Sequence, residues 1–89
     1  MLHALDLPKL KLAVQIRLSE NSNGKWLFSL SIKHEQSKSN ESSRAIFSTD
    51  QQALDAALVY LKIQSATFSP AATQATALWI KQKNNAGQP

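Results

Sequence analysis

Side chains that could do acid–base or metal chemistry are few in this chain of 89 residues. The two histidines, His3 and His34, stand far apart in the sequence, and neither has a second ligand at a spacing typical of metal sites. Cysteine is absent, which excludes thiolate nucleophiles, disulfides and cysteine-based metal sites. The sequence therefore predicts no metal site, and His34 is expected at the rim of the hydrophobic core.

The acidic residues and glycines show no catalytic pattern either. The spacing of the six acidic residues does not indicate a pair of carboxylates for general acid–base catalysis. Two glycines are too few for a phosphate-binding loop, and no Gly-x-Ser-x-Gly motif occurs. We therefore predict that the protein is not an enzyme and uses no cofactor. The acidic residues are Asp6, Glu20, Glu35, Glu41, Asp50 and Asp55.

Two stretches of alternating apolar and polar residues predict a β-hairpin. The first runs over Lys9–Ser19 and the second over about Lys25–Glu35, and an alternation with a period of two is typical of strands with one buried face. Between them, Asn23 and Gly24 tolerate the positive φ angles that a hairpin turn often requires. The apolar positions of both stretches are expected to face a core.

The chain after this hairpin is more difficult to interpret. Gln36–Ser42 has no apolar residue and is expected to be a mobile loop. A third, shorter strand is predicted over about Ser43–Ser48. Its inward side stays open between two alternatives, which are Ala45 with Phe47 and Arg44 with Ile46.

Two helices are predicted in the remainder of the chain. Thr49 and Gln52 form a capping-box pattern at the start of the first, which is expected to end near Ser65. Ser69 can cap the second helix and Pro70 suits its first turn. The second helix is expected to reach about Lys83. The predicted apolar side of the second helix consists of Ala71, Ala75, Leu78 and Trp79.

These elements predict one α+β domain with two layers. A three-stranded antiparallel meander packs on the first helix, which covers its apolar face, and the second helix follows in a βββαα order. Residues 1–8 are assigned to an N-terminal extension, residues 9–83 to the domain and residues 84–89 to a disordered tail.

The outward face of the predicted sheet is basic and rich in hydrogen-bonding groups. The chain carries ten Lys and Arg against six Asp and Glu, and no acid is among the candidate residues named for this face. Such a face is either an ordinary solvated surface or a platform for nucleic acid. The candidate residues are Lys11, Gln15, Arg17, Lys25, Ser29, Ser31 and Lys33, with Arg44 if the third strand has the matching register.

One family shares this order of features. Gly24-Lys25-Trp26, the alternation through Ile32, and Phe47-x-Thr49-x-x-x-Ala53 resemble the AP2/ERF-type DNA-binding domain and similar integrase amino-terminal domains. The resemblance covers about residues 10–63. It implies three antiparallel strands packed on a helix, with the side chains on the Lys25 side of the sheet facing DNA and those on the Trp26 side facing the helix.

The sequence thus predicts a small binding domain that uses the outward sheet face for nucleic acid. The alternative is a protein-interaction module or subunit that uses a sheet edge or the second helix, with Leu78 and Trp79 in contact with the partner. No stretch approaches the ~20 apolar residues of a membrane-spanning helix, and no signal peptide is recognisable. We therefore expect a cytoplasmic protein without a membrane partner.

Overall fold

The computed structural model describes residues 1–43 and 46–85 and shows an α+β fold, as predicted. Four strands form one antiparallel sheet in the order β1-β2-β3-β4, and two helices follow. The elements are β1 Leu2–Leu7, a 3-10 helix at Pro8–Leu10, β2 Leu12–Glu20, β3 Trp26–His34, β4 Ser37–Ser42, α1 Asp50–Ser65 and α2 Pro70–Asn85.

The number of strands differs from the predicted three. Residues 2–7, which the sequence analysis placed in an extension, form β1 and pair with β2 along their whole length. Residues 37–42, predicted as a loop, form β4 beside β3. The helix-facing positions of β4 pair with Leu30, Ile32 and His34 of β3 but carry only serine and glutamate. Without an apolar side, β4 gave no hydrophobic alternation to recognise.

The predicted third strand is reduced, among its described residues, to one bridge between Phe47 and Trp26. The two backbone N–H groups donate to each other's carbonyl oxygens over 2.8 and 2.9 Å. Phe47 is half-buried with its ring 6.4 Å from that of Phe28, whereas Ile46 is exposed. The inward side of this segment is therefore the side of Phe47. Arg44 and Ala45 lie outside the described residues.

The core lies between α1 and the central strands β2 and β3. The alternating apolar positions of both strands are buried against one side of α1, and this burial is the main source of stability for so small a domain. The buried residues of these three elements are Leu12, Val14, Ile16, Leu18, Phe28, Leu30, Ile32, Ala53, Leu54, Ala57, Leu58 and Leu61.

Side-chain caps fix where both helices begin, as the sequence predicts. The hydroxyl of Thr49 accepts the backbone N–H of Gln52 over 3.1 Å. The Gln52 side chain accepts the N–H of Ser48 over 3.0 Å, one residue earlier than in the usual capping box. At α2, the hydroxyl of Ser69 accepts the N–H of Ala72 over 3.3 Å.

The predicted apolar side of α2 is confirmed for Trp79 and wrong for Ala71 and Leu78, which are exposed, while Ala75 is half-buried. The helix docks through Ala72, Thr76, Trp79 and Ile80, all of which are buried. Leu78 points away and is 58% exposed. Thr76 belongs to the buried side because its hydroxyl donates to the carbonyl oxygen of Ala72 over 2.8 Å, which leaves the threonine methyl for the core. Because Thr76 is polar, the sequence analysis did not count it among the apolar positions, and the wrong side of the helix was predicted to be buried.

Neighbouring residues on α2 allow a direct test of this docking. Truncation of Trp79 to Ala should lower the free energy of unfolding by about 3–5 kcal/mol, because a large buried side chain is lost. Truncation of the exposed Leu78 to Ala should change it by less than about 0.5 kcal/mol. Urea unfolding followed by far-UV circular dichroism measures both variants. A larger loss for Leu78→Ala would contradict the observed side of α2.

Both histidines lie on the helix-facing side of the sheet, and the Nε2 atoms of both are buried with no hydrogen-bond partner in the described part of the chain. His34 is 9% exposed and its ring centroid lies 4.8 Å from that of Phe68, in the segment joining the helices. The pKa of His3 is lowered by burial and, secondarily, by the positive charges of Lys83 and the Met1 amine, while Asp50 acts in the opposite direction. The fold therefore favours neutral His3.

Acid should destabilise the protein through His3. The unfolded chain binds a proton at this histidine near pH ~6.5, whereas the folded chain binds it only at lower pH, so protonation favours unfolding below pH ~6.5. His3→Gln removes this contribution. The wild type should therefore lose more stability than the variant between pH ~7.5 and ~5, measured by urea unfolding. Parallel pH curves for the two proteins would contradict the assignment.

Candidate functional site

The outer sheet face, defined as the side of the four strands opposite both helices, is the predicted binding surface. The alternation that buries Val14 and Ile16 places the intervening side chains of β2 on this face, and the same holds for β3. The strand register arranges it in three rows across the sheet. They are Leu2–Arg17–Ser29–Ser42, Ala4–Gln15–Ser31–Asn40 and Asp6–Ala13–Lys33–Lys38.

Five predicted site residues come together on this face. They are all exposed, and short serine side chains occupy the centre between the charged ones, so the surface is flat and rich in hydroxyl groups. The five are Gln15, Arg17, Ser29, Ser31 and Lys33.

Three other predicted site residues do not belong to the rows. Lys11 follows the 3-10 helix and has a left-handed backbone conformation, with φ 52°. Strand β2 begins at Leu12, so Lys11 lies just outside it. Lys25 is exposed in the turn that precedes β3. Arg44 lies outside the described residues. Lys11 and Lys25 therefore stand at opposite ends of the β2–β3 hairpin.

The strands missing from the prediction bring further residues to the outer sheet face. From β4 come Lys38 and Asn40, both exposed, and from β1 comes the acid Asp6. The signal for β4 was absent because neither of its sides is apolar, and only pairing with β3 shows where Lys38 lies. The three rows thus contain the cations Arg17, Lys33 and Lys38 and one acid, Asp6, which belongs to a strand outside the two considered in the prediction.

A mixed-charge concavity of about 290 Å³ lies at the corner of this face. Asp6 and Glu35 line it together with Lys11 and Lys33. Glu35 has a left-handed backbone at φ 57°, and its N–H donates to the carbonyl oxygen of Lys11 over 2.8 Å. Because acids and bases alternate here, this corner adds little to the positive potential of the face.

The strongest electrostatic feature is a pair of like charges. Lys33 and Lys38 are direct cross-strand partners of β3 and β4 and project to the same side. Side chains of such partners start only about 4.5–5.5 Å apart at Cβ, and like charges in this arrangement are destabilising. Arg17 lies four residues from the Lys33 position and one strand over, at roughly 14 Å. The three cations can thus contact separate phosphates along a polyanion.

The two residues of the alternative interaction site, Leu78 and Trp79, differ in their exposure to solvent. Trp79 is buried, and the Lys83 ammonium lies 5.3 Å from its ring centroid. Leu78 is exposed, about 100° around the axis of α2 from Trp79. The two therefore do not form one contact surface.

The described residues contain no arrangement suited to holding a metal ion or to crossing a membrane. Within residues 1–43 and 46–85, no three histidine or acidic side chains come together in a group that could hold a metal ion. Neither described helix has the length and apolar character needed to cross a bilayer.

Comparisons with protein-family models, with curated proteins and with solved structures gave no match for this chain. The resemblance to AP2/ERF-type and integrase amino-terminal domains stays a prediction.

Proposed function

We propose that this protein binds nucleic acid through the outer sheet face. The observation that carries the proposal is the cross-strand pair of Lys33 and Lys38. Their mutual repulsion costs stability in the free protein, and neighbouring phosphate groups bound to the two ammonium groups would relieve it. Arg17 on the same face supplies a third phosphate contact. Binding energy would then come from charge neutralisation and counterion release.

The shape of the face favours contact with the phosphate backbone. Four strands spaced about 4.8 Å apart span roughly 14 Å between the outer strand axes, which exceeds the ~12 Å width of the DNA major groove. The whole sheet therefore lies across the groove, with hydroxyl and amide groups donating to phosphate and sugar oxygens. The polar residues placed for this are Gln15, Ser29, Ser31, Asn40 and Ser42.

We expect little sequence preference. No aromatic side chain stands in the three rows formed by the described strands, so bases have no ring on which to stack. Phosphate contacts position a protein on nucleic acid but do not read its sequence. The resemblance to AP2/ERF-type domains supports use of the same sheet face, and a role on nucleic acid agrees with the cytoplasmic location predicted from the sequence.

A single charge reversal separates binding from folding. Lys33→Glu should weaken nucleic-acid binding at least about tenfold, because one phosphate contact becomes a repulsion. It should also stabilise the fold by about 0.2–1 kcal/mol, since Glu opposite Lys38 turns a like-charge pair into an ion pair. Lys62→Glu, on the exposed side of α1, is the matched control and should leave affinity nearly unchanged.

The measurement is fluorescence anisotropy with a labelled duplex and a labelled single strand at low salt. With three phosphates neutralised, the slope of log K against log salt for duplex DNA should be about −2.7, which corresponds to an affinity loss of roughly fortyfold between 50 and 200 mM salt. No wild-type binding at tens of micromolar protein would reject the function. Equal weakening by Lys33→Glu and Lys62→Glu would place the contact elsewhere.

A further inference from the structure

The groove between α1 and β4 has a composition unlike that of the outer sheet face. It is an open concavity of about 470 Å³ on the helix side of the sheet. Three aromatic residues line it, together with Glu41 and smaller side chains. The aromatic residues are Phe28, Phe47 and Tyr60.

The groove exists because α1 does not reach over β4. The helix packs on β2 and β3, and the helix-facing positions of β4 are Ser37, Ser39 and Glu41. On this side α1 presents Ala56 and Tyr60, which both line the groove, and Tyr60 is 47% exposed at its wall. Val59 and Ile63 of α1 are also exposed.

The three rings are arranged around the groove at short distances. The centroid of Phe28 lies 5.9 Å from that of Tyr60, with a 51° angle between the planes, and 6.4 Å from that of Phe47, with a 31° angle. Phe28 is itself buried and forms the floor, while the other two rings are partly open to solvent. An aromatic ring in the wall of a concavity can attract a cation where its face, which has negative electrostatic potential, is accessible.

Glu41 supplies the only charge among the side chains that line the groove. Its direct partner across β3–β4 is Leu30, which is buried on the helix side of the sheet. The Glu41 side chain therefore projects to the same side. A carboxylate beside aromatic faces attracts a cation by ion pairing and by cation–π interaction together. The described lining residues therefore carry a net negative charge within a chain of net charge +4.

We propose that the groove receives a basic side chain, lysine or arginine, from an extended segment of a protein partner. The groove is half-open, which suits a side chain that projects from a larger molecule. The free edge of β4 forms its border, and no described strand pairs with that edge. An extended segment that adds to β4 would form backbone hydrogen bonds there and direct alternate side chains toward Glu41 and Tyr60. This surface lies on the helix side, so it is independent of nucleic-acid binding.

The probe is a fluorescein-labelled peptide of sequence Thr-Val-Thr-Lys-Thr-Val-Thr, titrated with the full chain and followed by anisotropy. The comparison peptide carries norleucine in place of lysine and should bind at least about tenfold more weakly, because it keeps the chain length but lacks the charge. Glu41→Gln should weaken the lysine peptide about tenfold and leave the norleucine peptide unchanged. Glu20→Gln, an exposed acid at the end of β2, is the matched control and should bind like the wild type.

Two further variants test the aromatic contribution and the recognition of charge. Tyr60→Leu keeps an apolar wall and should weaken the lysine peptide more than the norleucine peptide. Glu41→Lys should lose the lysine peptide and bind a version with glutamate at the same position. Because Glu41 is exposed on an edge strand, its variants should keep the wild-type circular dichroism spectrum.

Several results would overturn the proposal. Equal affinity for the lysine and norleucine peptides would show that charge is not recognised. An unaltered affinity in Glu41→Gln would place the basic side chain elsewhere. Tetramethylammonium that binds as tightly as the peptide would identify a site for small cations and not for a polypeptide. Absence of peptide binding at millimolar protein would reject the site entirely.

Discussion

One helix is too narrow to cover four strands, and the rest of this structure depends on this constraint. A helix with its side chains is about 10 Å across, and strands lie about 4.8 Å apart, so α1 covers two strands. It covers β2 and β3, whose apolar sides it buries. The helix never covers the two edge strands, β1 and β4, so their helix-facing sides differ from those of β2 and β3. On the β1 side, Leu5 and Leu7 are half-buried against the core; β4 avoids the need for cover by carrying polar residues on both sides.

This division explains why the two surfaces at β4 differ. On the outer sheet face, β4 extends the polar rows of β3 and adds Lys38 beside Lys33. On the helix side, it leaves the groove open, so Tyr60 at the groove wall is 47% exposed although its ring lies 5.9 Å from that of Phe28. A polar edge strand with a lysine and a glutamate also resists uncontrolled pairing between sheets. The charges of β4 therefore disfavour indiscriminate aggregation through this edge.

The sequence predicted the elements whose own residues carry the pattern. The hairpin of β2 and β3 alternates because one side is buried, and Thr49 and Ser69 sit at the helix starts because their hydroxyls accept backbone N–H groups. It failed where the pattern depends on a neighbour. β4 is a strand only through its pairing with β3, so Lys38 and the position of Glu41 stayed hidden. On α2, Thr76 is buried because its hydroxyl is satisfied within the helix.

The two surfaces at β4 carry charges of opposite sign. Lys38 lies on the outer sheet face beside Lys33, and Glu41 is the one charged residue among the described residues that line the groove. Strict alternation along β4 makes this separation, because Lys38 and Glu41 lie three residues apart and therefore on opposite sides of the strand. A shift of one residue in the β3–β4 register would exchange the two sides, bring Glu41 to the outer sheet face and cancel its positive charge. The pairing of β4 with β3 therefore sets the electrostatics of both surfaces at once.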